Sequence, residues 1–104
     1  MANHPNRSTE RVTIETLRGR QERVTLPAPM WEGSIKRGAG ITLEAIYRGP
    51  RTGRMFARHY SIWERTDGTG RLEGTTYSEI DADEYLHLCR VADVEPLGVD
   101  ATAA

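Results

Sequence analysis

The side chains able to do chemistry are few and scattered. Cys89 is the only thiol, and His4, His59 and His87 are the only imidazoles. Nucleophilic catalysis needs a thiolate and a base within hydrogen-bond reach. His87 stands two residues from Cys89, on a different side of a helix, so the two are not preassembled. His59 is the histidine expected nearest Cys89 in space, with both buried beneath the same helix. Metal binding calls for short ligand spacings, and these four residues show none. Asp81, Asp83 and Glu84 lie close together without the calcium-loop pattern, and acids in a first helical turn already answer the helix dipole. The run Gly33-Ser34-Ile35-Lys36-Arg37-Gly38 has the glycine spacing of a phosphate loop, but Ala39-Gly40 stand where Lys-Ser/Thr is required. Gly38-Ala39-Gly40 begins a dinucleotide fingerprint, but Leu43 occupies its third glycine position. The chain is therefore read as non-enzymatic, with no catalytic residues, no metal site and no cofactor.

The chemistry left is recognition. Arg48, Arg54 and Arg58 alternate with Phe56, Tyr60 and Tyr77 on one face of a sheet. Guanidinium groups interleaved with aromatic rings stack bases and neutralise phosphates. The same residue types concentrate at protein interfaces. Glu44, Glu64 and Glu73 on that face interrupt a phosphate track, which puts a protein partner ahead of single-stranded nucleic acid. The internal alternative is a Glu44–Arg58 pair with the aromatics covered by the N-terminal hairpin. Trp31, in a proline- and glycine-rich stretch, is either a plug for one end of the sheet or an aromatic anchor for a partner. The candidate binding residues are thus Trp31, Arg48, Arg54, Phe56, Arg58, Tyr60 and Tyr77.

The elements that must position them centre on Ile41 to Tyr77. Three antiparallel strands are expected, Ile41–Arg48, Arg54–Arg65 and Arg71–Tyr77. Asp67-Gly68 supplies the signal for a type I′ turn. That turn puts Glu64 opposite Arg71 as an ion pair, Trp63 opposite Leu72 and Arg58 opposite Tyr77. If Gly49 faces Gly53 in the other turn, Glu44 faces Arg58, Ala45 faces Ala57 and Tyr47 faces Met55. A slip of one residue would swap the faces. The expected core face holds Ile41, Leu43, Ala45, Tyr47, Met55, Ala57, His59, Ser61, Trp63, Leu72, Gly74 and Thr76. The other holds Glu44, Ile46, Arg48, Arg54, Phe56, Arg58, Tyr60, Ile62, Glu73 and Tyr77.

Upstream, alternation predicts a strand over Arg11–Leu17, a turn at Gly19-Arg20-Gln21 and a return strand over Arg23–Leu26. Two prolines and three glycines in Pro27–Gly40 predict an irregular loop. Downstream, Asp81 to Ala92 reads as a helix. Asp81 caps it, Glu84 follows at capping-box spacing, and Ile80 and Tyr85 form a hydrophobic staple. Tyr85, Leu88, Cys89 and Ala92 share one stripe that would cover the small residues of the core face. Pro96 ends the element.

At 104 residues the chain fits one domain. The organisation read is a flexible segment over 1–9, a single α+β domain over 10–96 and a flexible tail over 97–104. Residues 1–78 carry 13 basic and 8 acidic side chains, and residues 79–104 carry 1 and 7. The two parts either neutralise each other or present a basic sheet to an acidic partner. The lone cysteine excludes an internal disulfide and fits a reducing compartment. No apolar run is long enough to span a membrane, so the expected location is cytoplasmic.

Arg7 and Arg11 stand at R-x-x-x-R spacing before the first strand. Glu32-Gly33-Ser34 follows where a D/N-x-S-x-x-G element would lie, with Arg37 at its glycine position and Gly38 one residue late. With a strand-rich body and a C-terminal helix, this layout loosely resembles PilZ domains. The resemblance implies a six-strand barrel and binding of cyclic di-GMP.

The fold expected is α+β, an antiparallel meander of about five strands, twisted or partly closed as a barrel, with one C-terminal helix packed on it. The function expected is a small binding or regulatory module, an accessory protein or inhibitor, docking a protein through its Arg/aromatic face. If the N-terminal hairpin leaves that face open, a homodimer could cover it.

Overall fold

The computed structural model describes residues 10–49, 52–65 and 67–97. The segment over 1–9, with Arg7, and residues 98–104 of the expected tail lie outside them. Six strands and one helix follow in the order β1 (Glu10–Glu15), β2 (Gln21–Leu26), β3 (Trp31–Gly38), β4 (Ile41–Arg48), β5 (Met55–Glu64), β6 (Arg71–Ile80) and α1 (Ala82–Ala92). They form one mixed sheet in the order β2-β1-β6-β5-β4-β3. The architecture is α+β as expected, with two corrections: there are six strands rather than five, and β1 lies parallel to β6 through the pair Glu15–Ser78.

The sixth strand is β3, inside the stretch read as a loop. Its glycines mask it, because they sit where an edge strand bends. Its pairing with β4 shifts register between Glu32 and Ile35 and again between Lys36 and Gly38. Gly33 leaves room there for a ring. The Trp31 indole lies across it, and a Cβ at 33 would stand 2.6 Å from the ring.

The β5–β6 ladder has the predicted register throughout, with Trp63 opposite Leu72 and Arg58 opposite Tyr77. Its turn is different. Arg65 and Gly70 close the ladder, and Gly68, not Asp67, takes positive φ. Asp67 instead accepts bonds from the Thr69 N–H at 3.0 Å and hydroxyl at 2.7 Å. This is an Asx-type turn rather than type I′. Glu64 faces Arg71 without forming the expected ion pair.

The β4–β5 register is half right. Ile41–Leu43 pair with Ser61–His59 as expected. Nearer the turn the Gly49 N–H donates to the Arg54 carbonyl at 2.7 Å, while the Gly49 carbonyl accepts the Gly53 N–H at 3.1 Å from within the turn, so the ladder closes on Arg54 and the loop is one residue longer. A bulge at Glu44 absorbs the difference, so Ala45 faces Arg58, Ile46 faces Ala57 and Tyr47 faces Phe56. Past the bulge the faces of β4 are exchanged. Ile46 and Arg48 turn toward the helix, and Ala45 and Tyr47 turn away from it.

The sheet therefore carries an apolar cluster on each side. On one side Leu43, Ile46, Ala57 and Ile80 pack against Tyr85, Leu88 and Cys89 of α1, with Met30, Trp31 and Ile35 at the border. On the other, Val12, Ile14 and Leu26 of the β1–β2 hairpin pack on Ala45, Tyr47 and Phe56, with Val24 and Tyr77 beside them. The hairpin leaves the sheet after the Glu15–Ser78 bridge and folds over the face opposite the helix.

The helix is built as its sequence requires. The Asp81 carboxylate accepts the Glu84 N–H at 2.8 Å, and Ile80 joins Tyr85 in one cluster. Asp93 ends it in the left-handed conformation, φ 58°, donating back to Arg90 and Cys89 carbonyls. Leu97, the first residue of the expected tail, is tied down. Its N–H donates to the Tyr85 hydroxyl at 2.6 Å, and its carbonyl accepts Arg48 Nε at 2.6 Å.

Candidate functional site

The residues singled out for recognition divide into three groups. Trp31 packs at the border of the helix-side cluster, which is the plugging role. Arg48, carried to the helix side by the bulge, bonds the carbonyls of Leu97 and Gly49. Arg54, Phe56, Arg58, Tyr60 and Tyr77 do share one face, as read, together with Tyr47.

Most of that face is occupied from within. Phe56 is 4% exposed under the N-terminal hairpin. The Arg54 guanidinium lies 5.4 Å over its ring and forms ion pairs with Glu22 at 3.0 Å and Glu79 at 3.1 Å. Those bonds hold the Glu79 carboxyl below its usual range, the Arg54 hydrogen bond contributing most. Arg58 reaches Glu32 at 3.1 Å and the Tyr47 hydroxyl at 3.1 Å, while its Nε lies 3.4 Å from Glu44 without hydrogen-bond geometry. Burial pushes the Tyr47 hydroxyl up to about 12. Two guanidiniums thus meet four carboxylates. Tyr60, further along, donates to Glu73 at 2.6 Å.

The nucleophile–base pair is not assembled. Cys89 is 1% exposed, and burial pushes its thiol up, with only the Tyr85 hydroxyl pulling the other way. His59 is half-buried, and burial, then Arg37, pull its pKa down. Arg37 Nη2 lies 3.1 Å from His87 Nε2, so that ring nitrogen is the acceptor. Native Cys89 is accordingly expected to resist a thiol reagent such as Ellman's reagent and to react fully once unfolded in guanidinium. A stoichiometric native reaction within minutes would return it to consideration as a nucleophile. Among the described residues no group of His, Cys, Asp or Glu is placed to hold a metal ion. None of their helices is long and apolar enough to cross a membrane.

The feature missed in the sequence is at the far end of the ladder. An 11-residue helix is about 16 Å long. Ten-residue strands such as β5 and β6 extend about 33 Å. The helix packs on β4 and β5 near the other end of the ladder, and β4 begins opposite Ser61. Beyond that point β5 and β6 continue as a two-stranded ribbon. On its helix-side face Trp63 is 50% exposed, its cross-strand partner Leu72 43%, and neighbouring Ile41 43%. Ser61 and Gly74, expected beneath the helix, lie on the same rung as Ile41, two residues along from the Trp63–Leu72 pair. A recess of about 290 Å³ runs past Trp63 and Leu72, with Glu64, Arg65 and Asp67 on its rim. Sequence pairing had found Trp63 opposite Leu72; the mismatch of helix and strand lengths was the signal that nothing covers them.

The motif elements that resemble PilZ domains do not converge within the sheet. Arg11 is on β1, and Glu32-Gly33-Ser34 is on β3, with β6, β5 and β4 between them in strand order. Glu32 is bonded to Arg58. Compared with protein-family models, curated proteins and solved structures, the chain matches none.

Proposed function

We propose that this protein is a small non-enzymatic interaction module that docks through the β5–β6 ribbon. The observation that carries this is the uncovered apolar row Trp63, Leu72 and Ile41 at the end of an otherwise well-packed sheet. Exposed aromatic and aliphatic side chains grouped in this way mark protein contact surfaces, and tryptophan is the residue type most enriched at binding hot spots. The exposed part of the Arg/aromatic face, around Tyr60 and Glu73, lies on the other side of the same ribbon. Both sides of one projecting element are therefore available to a partner. The pairing of Arg54 and Arg58 with carboxylates favours a protein over a nucleic acid, since those charges are already neutralised. Roles of the accessory, regulatory or inhibitory kind suit a module of this size.

The test is capture of proteins from host lysate by the tagged chain, with and without nuclease, beside a Trp63→Ser variant. A partner that survives nuclease and binds Trp63→Ser roughly thirtyfold more weakly, about 2 kcal/mol, is the expected result. Because Trp63 is half exposed, the melting temperature should move little. Capture that depends on nucleic acid would favour a single-strand binder instead. Capture unchanged by the substitution would remove the ribbon from the docking surface.

A further inference from the structure

The ribbon has a second unsatisfied feature, its backbone. Among the described residues β1 pairs with β6 only at Ser78 and diverges from it past Thr75–Tyr77, where Thr13 and Glu15 still line a recess with them, so no strand lies beside Arg71–Gly74 on that side. Two hydrogen bonds set the phase of this edge. Ile62 N–H donates away from β6, to Gly40 O, at 2.7 Å, and Arg65 N–H donates to Gly70 O across the ladder at 2.8 Å. Backbone groups of Gly70, Leu72 and Gly74 therefore point into the ladder. Those of Arg71, Glu73 and Thr75 point outward, with no backbone partner among the described residues, while Tyr77, next to the Glu15–Ser78 bridge, faces β1.

We infer that the partner for this edge is a second copy of the chain, joined β6 to β6 antiparallel with Leu72 on the two-fold axis. The inference rests on the ribbon being the docking element and names what docks there. In this register Arg71 of one copy and Glu73 of the other exchange backbone hydrogen bonds, twice, as the outward phase demands. Their side chains then face each other as two ion pairs. Arg71 is exposed and forms no ion pair among the described residues. Glu73 holds the Tyr60 hydroxyl through one oxygen and keeps the other for a guanidinium. On the opposite face the two Leu72 side chains meet at a narrow pair, and the row Trp63–Leu72 continues into its copy. Shifting the axis by one residue either way sets Arg71 against Arg71 or Glu73 against Glu73. The charges thus select one register as well as permitting it.

The test uses the full chain. Its mass by light scattering should rise from one copy to two through roughly tens of micromolar, as suits an interface smaller than the ~800 Å² per partner of stable complexes. Arg71→Glu and Glu73→Arg each set like charges opposite one another twice and should move this transition at least tenfold higher. The exchange R71E/E73R should restore it. Independently, Leu72→Cys should form an interchain disulfide under mild oxidation, because the axial pair lies within disulfide reach, and Thr76→Cys should not. A single-copy mass at every concentration overturns the inference, as does association that ignores the charge reversals or is not restored by the exchange. Dimers that form only after removal of residues 1–9 also overturn it and assign the edge to the chain's own N-terminal segment. Arg71 and Glu73 point away from Trp63 and Leu72, so the two readings fail separately. A chain that stays single yet loses another protein in Trp63→Ser keeps the ribbon as a docking element and removes only the second copy.

Discussion

Replacing Gly40 by alanine should cost about 2–4 kcal/mol and lower the melting temperature by roughly 10–20 °C. Gly40 sits in the two-residue turn between β3 and β4 at φ +73°, where an L side chain is strained. Its carbonyl accepts the Ile62 N–H at 2.7 Å, which ties the turn to β5 just where the ribbon emerges. A Cβ at this position would collide with the Ile62 carbonyl oxygen, a backbone atom that no rotamer change can move. The turn would have to lift off β5. Gly38→Ala is the control: nothing stands within 4 Å of its added Cβ, its φ is not positive, and its effect should stay near 0.5 kcal/mol. Urea denaturation of the two variants decides the matter. Equal losses would mean that strand propensity, not the Gly40 contact, sets the cost.

Leu88→Ala should cost about 2–5 kcal/mol, a large share of the stability of so small a domain. Leu88 has no exposed surface and sits with Tyr85 and Cys89 on Leu43, Ile46 and Ala57. The cavity left cannot be filled easily. The helix is held by the Asp81 cap at its start and by the Tyr85 hydroxyl, which ties its first turn to Leu97 beyond its end. Leu17→Ala, at a side chain 58% exposed, should change stability by less than about 0.5 kcal/mol. Unfolding midpoints in urea at unchanged slope would verify both. A Leu88→Ala loss under 1 kcal/mol would mean that the helix contributes little to the fold.

What was legible in the sequence was what short range determines. The β5–β6 register followed from one Asp-Gly pair and the charges and apolar residues flanking it, although the turn proved to be of another type. The helix followed from Asp81, Glu84 and a stripe of four residues. What was not legible depended on partners far along the chain. The Glu44 bulge compensates for a loop one residue longer than its glycines suggest, and a period-two reading has no place for the extra residue. Its trace is the adjacent apolar run Ala45-Ile46-Tyr47, all three buried because alternate members serve opposite sides of the sheet. Strand β3 was hidden by the glycines that let it bend. The Arg/aromatic residues were grouped correctly apart from Arg48, which the bulge removes. Cover by the N-terminal hairpin was one of the alternatives the sequence offered, but nothing local chose it, because the place where the β1–β2 hairpin lands is set by Val12, Ile14 and Leu26 meeting Tyr47 and Phe56 across the fold.

The Glu15–Ser78 bridge also makes the molecule mechanically uneven. Among the described residues, a load drawn from Glu10 against the helix meets no long hydrogen-bonded seam in shear, only one bridge, the Leu17–Glu79 bond, the Arg54 clasp on Glu22 and an apolar contact. The hairpin can peel away as a flap while ten paired rows of β5 and β6 stay zipped. Such a flap would uncover Tyr47, Phe56 and Tyr77 together, so the domain gives way in two stages, with the aromatic surface bared in the first.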